Sequence, residues 1–120
     1  MPSMTTCKFG DVILVGFPFT NMQTIKRRPA VVISDMAYQQ QRPDMILMAI
    51  TSQVRQPLAF GEYILQDWQT AGLLKPSVFK PLIATIEQTQ AIRVMGQLSA
   101  TDQKGLQSVI DNIIGKPTDQ

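Results

Sequence analysis

Histidine is absent from this 120-residue chain, and cysteine occurs once, at Cys7. Those two scarcities exclude a good deal. No disulfide can close within the chain, and no Cys/His zinc site can be assembled. Serine–histidine and cysteine–histidine nucleophilic catalysis are excluded, as is a histidine pair working as acid and base. A strong charge of either sign is lacking too: 11 Lys and Arg stand against 9 Asp and Glu, for a formal net charge of +2. Any grip on an anionic polymer must therefore come from local clustering of cations. No apolar run approaches the ~18 residues of a membrane span. The opening "MPSMTTCKFG" also lacks the apolar centre of a signal peptide. A soluble, cytoplasmic protein with no membrane association is expected.

What the chain does have is an ordinary globular composition, 44% apolar, without repeats or low-complexity tracts. A chain of this length buries roughly two-thirds of its unfolded surface and needs neither disulfide nor metal to fold. One domain spanning residues 1–120 is expected, with its core over about 9–115. "GDVILVGFPF" (10–19) is rich in Val, Ile and Phe and predicts a strand ended by Pro18. "TNMQTIKRR" (20–28) predicts an exposed loop joining two strands. "PAVVIS" (29–34), "MILMAITS" (45–52), "GEYILQ" (61–66), "PLIATIEQ" (81–88) and "AIRVMG" (91–96) predict further strands. "DMAYQQQRPD" (35–44) predicts a polar connection with room for a helical turn.

The last segment carries a helical stripe. Leu106, Val109, Ile110, Ile113 and Ile114 fall at i, i+3, i+4, i+7 and i+8, predicting an amphipathic helix over about 101–114. Ser99 and Asp102 resemble a capping box, with Asp in place of the usual Glu or Gln. Gly115 and Pro117 supply a stop. Gly105, inside the helix, should cost about 1 kcal/mol relative to Ala. Five or six short strands and a terminal helix predict a mainly β fold, a small twisted antiparallel sheet or partly closed barrel with the helix across it.

Hydroxyls, carboxylates and cations are the groups left for chemistry. Arg28 precedes Pro29, which confines its backbone to extended conformations and fixes the root of a long guanidinium. Thr51, followed by Ser52 and Gln53, stands where a buried strand gives way to polar loop. Pairing of the two strands would turn both ends toward one cleft. Taken alone, such an arginine is more often a solvated surface charge, and a Thr-Ser pair more often turn chemistry. Trp68 and Tyr63 fit a core or a dimer contact better than a base-stacking platform, and Asp11 fits turn hydrogen bonds better than a general base. Cations outnumber acids between residues 26 and 93, whereas the helical tail is mildly acidic. An anionic partner such as phosphate is favoured on the β part.

Taken together, "GDVILVGFPFT", "RRPAVVIS", "AITSQ", "GLLKPSVFKP" and "MGQLSATD" occur in an order and at a spacing that resemble the MazF/PemK family of toxins from bacterial toxin–antitoxin systems. The resemblance covers about residues 9–115. It implies a compact Src-homology-3-type (CcdB/PemK-like) barrel with a C-terminal helix, a homodimer, and an endoribonuclease that cleaves single-stranded RNA at specific sequences without metal or other cofactor. The RNA's own 2′-OH would attack the adjacent phosphorus, giving 2′,3′-cyclic phosphate and 5′-OH ends. A cognate antitoxin protein would inhibit it.

Carried over by position, the arginine of the family's "RP" motif matches Arg28 and the threonine of its "T-S/A-Q" motif matches Thr51, as the catalytic pair. Lys26, Arg27, Ser52, Gln53, Lys75 and Ser77 would bind flanking phosphates or bases. The PemK-like branch also has a basic residue and an aspartate before its last strands, and a histidine in its first loop. Here "LLKPSVF" offers Lys75 and Ser77 with no acid, and no histidine is present. Two other functions fit the same barrel: a non-catalytic toxin that binds a protein, as gyrase-poisoning relatives do, and an inactive member that only binds RNA or antitoxin.

Overall fold

The computed structural model describes residues 7–16 and 26–118. The end of the first expected strand, with Pro18, and most of the expected loop 20–28 lie outside the described residues. Six strands, β1 (Asp11–Gly16), β2 (Arg27–Val32), β3 (Asp44–Thr51), β4 (Tyr63–Ile64), β5 (Val78–Glu87) and β6 (Ala91–Gln97), form one sheet in the order β4-β5-β3-β2-β1-β6. All neighbours are antiparallel. A short helix, α1 (Met36–Gln41), lies between β2 and β3, and a long one, α2 (Ala100–Ile113), closes the chain. The mainly β fold with a C-terminal helix is the one expected.

The central strands are buried on both faces, which explains their near-continuous apolar runs. Alternation sends Val12, Val31, Met48 and Ile50 to one side, where they pack with Leu106 and Val109 of α2. Ile13, Ala30, Val32, Leu47 and Ala49 go to the other side, joined by the single cysteine, Cys7. Leu106 is fully buried, which is worth about 1.5–3 kcal/mol over leaving it exposed.

Several boundaries differ from expectation for identifiable reasons. β5 begins at Val78, three residues before Pro81. The register passes from Met48↔Ile83 to Ala49↔Lys80, so Pro81 and Leu82 form a bulge in which the missing proline N–H interrupts no ladder bond. The expected strand 61–66 shrinks to two residues on the sheet edge. The polar connection 35–44 holds six residues of helix, because the Asp35 carboxylate caps it by accepting from the Ala37 amide at 2.9 Å.

α2 begins as expected, with the Ser99 hydroxyl accepting from the Asp102 amide at 3.2 Å. Its stop is different: the chain leaves in extended form at Ile114, and Gly115 does not take the left-handed cap. Ile114 is consequently 53% exposed and drops out of the stripe.

Candidate functional site

Arg28 and Thr51 line one cleft, which opens where two ladders outlast the one between them. The β2–β3 ladder stops at Ala30↔Ala49, next to Pro29, which has no amide proton to offer. On either side the pairing continues. β1 holds β2 as far as Gly16↔Arg27, and β5 holds β3 as far as Thr51↔Val78. β2 and β3 thus run on, each secured to its outer neighbour, without bonding to one another. Counted on in the same register, Arg28 stands opposite Thr51, and both belong to the sheet face of Ala30 and Ala49.

At this parting lies a cleft of about 370 Å³, near the lower end of the range for small-ligand sites. Of the residues expected at a site, Arg27, Arg28, Thr51, Ser52, Gln53, Lys75 and Ser77 line it. Lys26 is exposed and does not. The hydroxyl groups are oriented locally. Thr51 Oγ1 accepts from the Gln53 amide at 3.1 Å, which leaves its own proton free to donate outward. Ser77 is buried and spends its proton on the Lys75 carbonyl at 2.9 Å. Asp11 stays out of the cleft and accepts from the Lys8 amide, as the turn reading expected.

The remaining lining was not anticipated. Leu14, Pro29 and Ile50 provide an apolar floor, Leu73, Leu74 and Met95 a wall, and Arg93 of β6 a fourth cation. Among the described residues Arg27, Arg28, Lys75 and Arg93 share this lining with no carboxylate, so the cleft favours an anion that also carries apolar surface. Alternation along "AIRVMG" places Arg93 and Met95 on one side of a strand, but nothing local says which strand β6 borders.

The segment between β4 and β5 supplies the wall, and α2 holds it in place. Asp102, fully buried in the first turn of α2, turns its carboxylate across to that segment instead of back to the Ser99 amide. It accepts from the Tyr63 hydroxyl at 2.9 Å, the Gln66 amide at 2.9 Å and the Asp67 amide at 2.8 Å. Burial, followed by this bond to Asp102, pushes the Tyr63 phenol up from its usual value to about 12. Further along, Gly72 has φ +83°, and a Cβ there would lie 2.1 Å from the Met95 carbonyl oxygen. Only glycine lets the segment lie backbone-to-backbone on β6 and present Leu73, Leu74 and Lys75 to the cleft.

Comparison with known proteins agrees with this architecture. The family model described as PemK-like, MazF-like toxin of type II toxin–antitoxin systems matches residues 8–114. No curated protein sequence matches the chain. Among solved structures, a mycobacterial endoribonuclease in complex with its cognate antitoxin superposes with a TM-score of 0.75 at 13% identity, covering 94% of this chain and 99% of its own. The MazE–MazF structure from Deinococcus radiodurans gives a TM-score of 0.72 at 17% identity, covering 95% and 100%. The Mycobacterium tuberculosis toxin MazF-mt6 gives 0.66 at 22% identity, covering 85% and 93%. At these identities the three likenesses speak for the fold.

Proposed function

The chain belongs to the PemK-like, MazF-like toxin family of type II toxin–antitoxin systems, and from that premise we propose that it is an endoribonuclease acting on single-stranded RNA in the cleft between β2 and β3. The observation that carries the proposal is the register. Counted on from the β2–β3 pairs, Arg28 and Thr51 take opposite positions, and both line a cationic cleft with no carboxylate among its described residues.

The chemistry suits a site without histidine or thiolate, because the nucleophile belongs to the substrate. The RNA 2′-OH attacks the adjacent phosphorus. The O2′–P bond forms, the P–O5′ bond breaks, and in net one proton passes from O2′ to O5′ through the solvent at the open cleft. The products are a 2′,3′-cyclic phosphate and a 5′-OH end. Arg28 remains protonated and stabilises the charge gathering on the phosphoryl oxygens with its planar donors. Thr51 donates to the same group and holds O2′ in line with the leaving oxygen. Arg27 and Lys75 grip flanking phosphates, while Ser52 and Gln53, exposed at the rim, read splayed bases. Lys26, outside the lining, steers RNA toward the cleft. Ser77 positions the Lys75 main chain.

A cognate antitoxin, acidic or partly disordered, would cover the cationic cleft, and the working form is a homodimer in the cytoplasm. Among the described residues no helix is long and apolar enough to cross a membrane.

The test is a defined RNA incubated with the pure protein in EDTA, followed by analysis of the new ends. Wild type yields cyclic phosphate and 5′-OH. Arg28→Ala lowers cleavage at least about 100-fold, the scale of a lost charge-stabilising donor, while remaining folded. Activity within a few-fold of wild type would remove Arg28 from the mechanism. Absence of cleavage by a folded wild type would favour a protein target instead.

A further inference from the structure

Arg93 is the cleft cation that the catalytic reading leaves without a task. It stands on β6 opposite Leu14, and Leu14 stands opposite Pro29. Counted on in the β2–β3 register, Pro29 faces Ile50. These four residues therefore form one row across four strands, and all four line the cleft. A cation occupies one end of the row, and three apolar side chains make up the rest. From β6 to β2 is two strand spacings, ~9.6 Å. Arg28 sits one residue along β2 from Pro29, at the mouth where β2 and β3 part.

Arg93 and Arg28 do not form a clamp on one phosphoryl group: Arg93 ends the row, and Arg28, on the sheet face of Ala30, borders the same cleft at the mouth. They suit two different phosphates of a single strand, with sugar and base laid over the apolar row. The wall follows the same line. Leu74, which is 89% exposed, and Met95, two residues along β6 from Arg93, line the same cleft. Arg93 is itself exposed and takes part in neither of the ion pairs found among the described residues, Lys8–Asp11 and Arg42–Asp44.

We propose that Arg93 is a second phosphate-binding residue, which leads the RNA across the sheet from the β2–β3 mouth over Leu14 and Pro29 to β6. The proposal rests on the nuclease reading for the identity of its ligand. Arg93 does not touch the scissile phosphate, and its contribution is to binding and to the path of the strand.

The experiment measures binding of a non-cleavable 2′-O-methyl RNA 12-mer of mixed sequence as a function of salt, alongside cleavage of a long RNA. Arg93→Ala should weaken binding about tenfold, the scale of one charge-assisted hydrogen bond. It should also flatten the plot of log K against log salt by about 0.7, the value for one phosphate of a single strand. In cleavage the loss falls on KM and not on kcat. Arg93→Lys, which keeps the charge, restores the slope. Lys104→Ala, which removes a cation from the exposed side of α2, leaves the slope unchanged.

A slope for Arg93→Ala equal to that of wild type overturns the proposal, even where wild type cleaves RNA normally. So does an equal fall in slope for Lys104→Ala, because the effect would then be one of net charge. Failure of the wild type to cleave would refute the nuclease reading alone. A slope reduced by Arg93→Ala in that same protein would still support the phosphate site.

Discussion

The substitution Asp102→Asn probes the connection between the terminal helix and the cleft. The Asp102 carboxylate accepts one hydroxyl and two main-chain N–H groups while fully buried. Asparagine has nearly the same shape but only one acceptor oxygen. In either orientation of its amide, at least one of the Gln66 and Asp67 N–H groups then faces another N–H. An unsatisfied buried donor costs about 1–3 kcal/mol. The bonds that survive fall from charge-assisted to neutral, losing roughly half their strength. An anion is also removed from the first turn of α2, worth about 0.3–1 kcal/mol. The sum is about 3 kcal/mol, a large share of the ~5–15 kcal/mol that holds a typical domain together.

With an m-value of ~1.5 kcal/mol/M for a chain of this size, the urea midpoint should fall by about 2 M. The consequence reaches the site as well. Asp102 fixes Gln66 and Asp67, and the segment beginning there carries Leu73, Leu74 and Lys75 to the cleft. RNA cleavage should therefore decline even at urea-free temperatures where the variant remains folded. A midpoint within about 0.3 M of wild type, well under the ~1 kcal/mol of a single net hydrogen bond, would show that these bonds do not anchor the segment.

Two further outcomes follow from the neighbours of Asp102. Gly105→Ala ordinarily stabilises a helix by about 1 kcal/mol, but here a Cβ would lie 2.2 Å from the Tyr63 ring. That ring is stacked on Phe79 at 5.5 Å and bonded to Asp102, so it has little room to retreat. The variant should lose about 1–3 kcal/mol by overpacking, and a raised thermal midpoint would refute this account. The second outcome concerns alkaline pH. The Tyr63 phenol is raised to about 12 in the folded protein, against ~10 for a free side chain. The unfolded chain therefore releases its proton first as pH rises. The contribution to stability is constant below the unfolded value and turns against folding between ~10 and ~12. Denaturant midpoints for wild type should fall more steeply across that window than those for Tyr63→Phe, and parallel profiles would contradict the assignment.

Much of this fold is local in origin. The Val- and Ile-rich runs of β1, β2 and β3, the stripe through Leu106 and Val109, and the Ser99 cap all depend on residues within a turn or a strand of one another. The helix cost expected for Gly105 concerns its own turn, whereas the reason for the glycine lies elsewhere. Tyr63, whose ring fills the space of the missing side chain, is 42 residues away in the chain. The C-terminal stop shows the converse error, since Gly115 has the composition of a cap that the chain does not use.

The same division runs through the site. Arg28 and Thr51 could be picked out because each stands at the edge of an apolar run, one before a proline and one before a polar loop. That both line one cleft depends on which ladder ends first, a property of paired strands that neither segment contains alone. Arg93 is the clearest case: its neighbours in the chain describe only a strand, and the order β2-β1-β6 brings it to the cleft. Periodicity and capping are written in short stretches because they concern contacts made within one element. Register, bulges and the passage of Gly72 over Met95 are relations between elements, and the tertiary structure alone settles them.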